Sequence, residues 1–63
     1  MKTVHFDCPS YPDRDAAQRA ALLFLKGDPD TIVFHRPSQH DWEFIMLAYE
    51  SGTEVVVSMF PAR

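Results

Sequence analysis

The sequence predicts a small α+β domain spanning residues 1–63, with elements in the order β-α-β-β-β. One helix packs on one face of a three- or four-stranded, mostly antiparallel sheet. Three observations lead there. Residues 3–8 alternate apolar and polar, residues 13–26 carry helical periodicity between an acidic start and a Gly-Asp-Pro stop, and residues 42–60 read as two alternating runs around Ser51-Gly52.

In the first element Val4, Phe6 and Cys8 point one way and Thr3, His5 and Asp7 the other, as in a short strand. Pro9 and Pro12 then interrupt any ladder. The helix that follows is capped either by Ser10, with Asp13 completing a capping box, or by Asp13 itself. It runs to about Lys26, where Gly27 suits the end and Pro29 forbids continuation. Its apolar arc holds Ala16, Ala17, Ala20, Ala21, Leu23, Phe24 and Leu25. Leu22 falls opposite that arc, on the exposed side.

Thr31–Arg36 is rich in β-branched and aromatic residues and forms the second strand. If it neighbours the first, a right-handed crossover places the helix on one sheet face. Pro37 to Asp41 is a loop. A hairpin over Trp42–Phe60 closes the domain, because Gly52 supplies the positive φ of a tight turn. One of its faces carries Ala48/Val55, Met46/Val57, Phe44/Met59 and Trp42/Pro61. The other carries Tyr49/Glu54, Leu47/Val56, Ile45/Ser58 and Glu43/Phe60. Both faces are apolar, and one helix covers only one of them.

Composition bounds the function. A chain of 63 residues buries only about 60% of its unfolded surface, so self-association favours it. The net charge of −3, with six dispersed cations, argues against direct nucleic-acid binding. Cys8 is the only cysteine, which rules out an internal disulfide and fits a reducing compartment. No apolar run matches a signal peptide or a membrane span, so a cytoplasmic location is expected.

No motif identifies a reaction, and no enzyme activity or cofactor is expected. His5 and His35 can share one face of adjacent strands, but Cys8 points away from His5, which disfavours a shared metal. Two sets remain as candidate contacts. The apolar set, Ile45, Leu47, Tyr49, Val56 and Phe60, is the unshielded hairpin face. The acidic set is Asp28, Asp30, Asp41, Glu43, Glu50 and Glu54, which can steer the chain onto a basic partner.

With that acidic set beside an apolar face, the short acidic chain resembles the small phage-encoded inhibitors grouped as anti-CRISPR proteins. The resemblance rests on overall plan and transfers no residue role. It implies a non-enzymatic inhibitor that occludes a site on a larger protein or ribonucleoprotein complex with a basic surface, in a bacterial host cytoplasm. Two alternatives stand beside it: a homodimeric structural or regulatory subunit paired through the open sheet face, and a small His- or metal-dependent enzyme.

Overall fold

The computed structural model describes residues 1–62, so Arg63, one of the six cations, lies outside the described residues. Strands and helices alternate along the chain: β1 (Thr3–Asp7), α1 (Arg14–Lys26), β2 (Thr31–His35), α2 (Trp42–Glu50) and β3 (Glu54–Ser58). The sheet has the order β1-β2-β3, and both pairings are parallel. This corrects the expected β-α-β-β-β order and mostly antiparallel sheet. A second helix stands where the alternation places the first hairpin arm, and it carries the chain back across the sheet before β3.

The reason lies in residues 38–53. Residues 42–50 are apolar at nearly every position, so both a period of two and a period of 3.6 find a match. Only Ile45 among them is β-branched, whereas β3 contains three consecutive valines. Local hydrogen bonds favour the helix at both ends. Before it, a 3₁₀ turn over Gln39–Asp41 is anchored by Asp41, whose Oδ2 accepts from the Ser38 N–H and the Ser38 hydroxyl, each at 2.7 Å. After it, the N–H of Gly52 donates to Tyr49 O and that of Thr53 to Ala48 O, at 3.0 and 3.1 Å. That pair of bonds is a Schellman closure, and it needs a left-handed residue at Gly52, whose φ is +89°. Gly52 does adopt positive φ, but to end a helix and not to turn a hairpin.

The first half follows local signals more directly. Asp13 is the α1 cap, accepting from the Ala16 N–H at 2.8 Å, so Ser10 is free to donate to Asp7 instead. The left-handed residue after α1 is Asp28 (φ +55°), while Gly27 stays right-handed. Ala17 and Ala21 are buried, with Phe24 and Leu25 packed at the margin. Leu23 leaves the expected arc and is 68% exposed.

Phe6, Ile32 and Phe34 from the strands pack with Ala17 and Ala21 of α1 and Phe44, Ile45 and Ala48 of α2. Both helices therefore lie on one face of the sheet, as two successive right-handed crossovers in one direction require. The register sets the other face in rows: Thr3–Thr31–Glu54, His5–Val33–Val56 and Asp7–His35–Ser58. Most of these side chains are polar, so this face tolerates water. The expected large apolar face does not form, because Ile45, Leu47 and Tyr49 belong to α2.

Candidate docking edge

Parallel strands put all their carboxyl ends on one side, where α/β folds commonly hold ligands. Here that side has a cleft of about 220 Å³, walled by Cys8, Tyr11, Arg36, Ser38, His40 and Asp41 among others. The chain's own groups occupy most of its polar positions, while the buried Oδ1 of Asp41 has no hydrogen-bond partner and lies 3.5 Å from the His40 imidazole. Burial, reinforced by the charge and hydrogen bonding of Asp41, pushes the Cys8 thiol up to about 12, so it stays protonated and unreactive near neutral pH. Burial likewise raises Tyr11 above its ordinary range, with help from Cys8 and Asp7. The amino ends of both helical segments are occupied by the chain's own carboxylates, Asp13 and Asp41. Asp7 accepts from the Ser10 hydroxyl and from Arg36, which together hold its carboxyl below the usual value.

His5 and His35 meet on the helix-free face, as their strand positions allow. Nδ1 of His5 lies 2.8 Å from Nε2 of His35, and Nδ1 of His35 lies 2.9 Å from Phe60 O. A carbonyl only accepts, so His35 donates from Nδ1, and in the neutral pair its Nε2 accepts from the Nδ1–H of His5. Among the described residues no group of three or more His, Cys, Asp and Glu is arranged to hold a metal.

The topology splits the acidic set. Asp28, Asp30, Glu50 and Glu54 lie on the amino-terminal side of the sheet, in or beside the loops that enter β2 and β3. There Asp30 accepts from the Lys2 N–H and Glu54 from the Thr31 hydroxyl. Asp41 and Glu43 lie on the opposite side: Asp41 is buried, and Glu43 pairs with Arg14. The apolar set is split as well. Ile45 is in the core at 5% exposure, Leu47 and Tyr49 are on exposed flanks of α2, Val56 is on the helix-free face, and Phe60 follows β3.

The structure brings a different group together around β3. This strand is an edge. The Glu54 N–H donates to Asp30 O and Ser58 O accepts from the Arg36 N–H, so Glu54, Val56 and Ser58 turn their backbone groups toward β2. The N–H and C=O of Val55 and Val57 therefore face outward, unpaired within the chain. Alongside them Val56, Val57, Met59 and Phe60 are exposed. On α2, Glu43 marks the flank facing α1 through its pair with Arg14. At 100° per residue, Trp42 and Tyr49 fall on the other flank, above the β3 edge, and both are exposed.

Sequence reasoning missed Trp42, Val57 and Met59 as surface residues because it paired them inside a hairpin. One signal for them was present: from Val55 to Ala62 there is no charge, and edge strands are ordinarily guarded by charges. No described helix is long and apolar enough to cross a membrane. Comparison with protein-family models, with curated proteins and with solved structures finds no match in any of the three.

Proposed function

We propose that this chain is a non-enzymatic protein-interaction module that docks through the outer edge of β3 and the Trp42–Tyr49 flank of α2. One observation carries the reading: a hydrogen-bonding strand edge, bare of charge beyond Glu54, lies within a patch of exposed Val57, Met59, Trp42 and Tyr49. Such an edge accepts an additional strand through main-chain bonds, and the flanking apolar side chains supply anchors. The protonated Cys8 and the self-capped helix starts support a role without catalysis.

The test is a photo-crosslinking side chain placed at Val57, with the same group at exposed Leu23 on α1 as the control, in cells that express the chain. Specific protein adducts at 57 and none at 23 are expected. No adduct at 57 overturns the reading.

A second reading is favoured by the gathering of Asp28, Asp30, Glu50 and Glu54 on one side of the sheet. It is occlusion of a basic surface on a larger nucleic-acid-handling complex, as an anti-CRISPR-type inhibitor does. Purified chain should then inhibit an RNA-guided nuclease, and Asp28→Lys with Glu50→Lys should abolish that. No inhibition of any effector type tried ends this reading.

A further inference from the structure

Building on the β3 docking edge, we propose that its occupant is a second copy of this chain, with the two β3 strands antiparallel about a two-fold axis at Val56. The two sheets then join as one of six strands. An antiparallel pair alternates hydrogen-bonded and non-hydrogen-bonded positions. The axis at Val56 sets Val55 opposite Val57 of the second copy, twice, and these are the residues whose backbone groups point outward. Val56 faces its own counterpart at a non-hydrogen-bonded position.

The sequence selects this register. It is the one in which all five residues of β3 find partners within the opposite β3. Glu54 then faces Ser58 of the second copy, so no like charges meet. Moving the axis two residues toward the amino end opposes Glu54 to Glu54. Moving it one residue toward the carboxyl end sets Val55 and Glu54 opposite Met59 and Phe60, which lie past the end of the strand. The other sheet edge is guarded: β1 is flanked by Lys2 and ends in Asp7, which is paired with Arg36.

Side chains fit the same axis. Val55 and Val57 are on the helix side of the sheet, in register with Ile32 and Phe34, and Met59 follows the strand at a bend. A groove of about 540 Å³ is lined by Tyr49, Gly52, Thr53, Glu54 and Val55. Because α2 runs antiparallel to β3, the two-fold also brings Trp42 of one copy to the level of Tyr49 of the other.

Sedimentation equilibrium, amide exchange and a cysteine probe test this on the full chain. The expected mass is twice that of one chain, falling to one chain in Val57→Lys. Exchange at the Val55 and Val57 amides is expected to slow by roughly tenfold or more as concentration rises. Val56→Cys should form an intermolecular disulfide, since non-hydrogen-bonded partners have the required close Cα spacing, while Leu23→Cys should not. The disulfide and exchange results decide the matter if Val57→Lys fails to fold. A monomer at millimolar concentration overturns the second copy, as does a dimer with unprotected Val55 and Val57 amides. The crosslink at Val57 separates the two levels: an adduct with a different protein from a monomeric chain removes only the second copy, and no adduct removes the docking edge as well.

Discussion

The imidazoles of His5 and His35 meet edge to edge across β1 and β2, with ring centres 5.1 Å apart and a hydrogen bond of 2.8 Å between Nδ1 of His5 and Nε2 of His35. His35 is buried on the face that no helix covers, with His5 at one ring nitrogen and the Phe60 carbonyl at the other. The pair ties the segment after β3 to the middle of the sheet. His35→Ala leaves Phe60 O and His5 Nδ1 without this partner and should cost about 1–3 kcal/mol. Faster amide exchange at residues 58–60, with α1 unaffected, is the local signature. Nitrogen NMR on the wild type should find His35 protonated at Nδ1.

Cys8 should react slowly. Its thiol sits at about 12 against an ordinary 9.0, which cuts the thiolate fraction at neutral pH by about a thousandfold before access is considered. Iodoacetamide should label the unfolded chain at the normal rate and the native chain at least that much more slowly. The same shift couples to stability. The unfolded chain loses the proton first, so this contribution is full below pH 9 and declines as pH rises from 9 toward 12. Cys8→Ala should remove that part of the alkaline decline in urea titrations.

Asp7 acts at the other end of the pH scale. The Ser10 hydroxyl, and then Arg36, hold its carboxyl below the ordinary 3.8. A lowered folded value means that the stabilisation is present above about pH 4 and is lost as pH falls through the folded value. Asp7→Asn should flatten the acid limb of the stability curve by lowering stability above about pH 4, so that the two curves converge in acid, and urea midpoints measured across pH check this.

Gly52 tests the helix ending. An added Cβ meets no atom within 4 Å, so Gly52→Ala carries no steric clash and only the cost of φ +89°. That cost is about 1 kcal/mol. The loss should appear as a lower urea midpoint with an unchanged slope. Gly27→Ala tests a different point, since Gly27 is right-handed and its built Cβ lies 3.0 Å from the movable end of Lys2. It should change stability by less than Gly52→Ala.

What the sequence determined by itself was the first half of the chain. Alternation in Thr3–Asp7, the acid at Asp13, the stop at Gly27-Asp28-Pro29 and the β-branched run from Thr31 are local signals, and each acts within a turn or two of where it is read. The need for positive φ at Gly52 was legible too. Its use was not, because a hairpin turn and a helix closure both ask for it. Residues 42–50 satisfy two periodicities at once, so local pattern leaves them undecided. Tertiary structure decided them: a helix buries Phe44, Ile45 and Ala48 over Ile32 and Phe34, and it satisfies its own backbone between the Asp41 anchor and the Schellman bonds. That choice made β3 parallel and left it at the edge. Which backbone groups of Val55 and Val57 face outward, and which side chains flank them, depends on pairing between residues far apart in the chain.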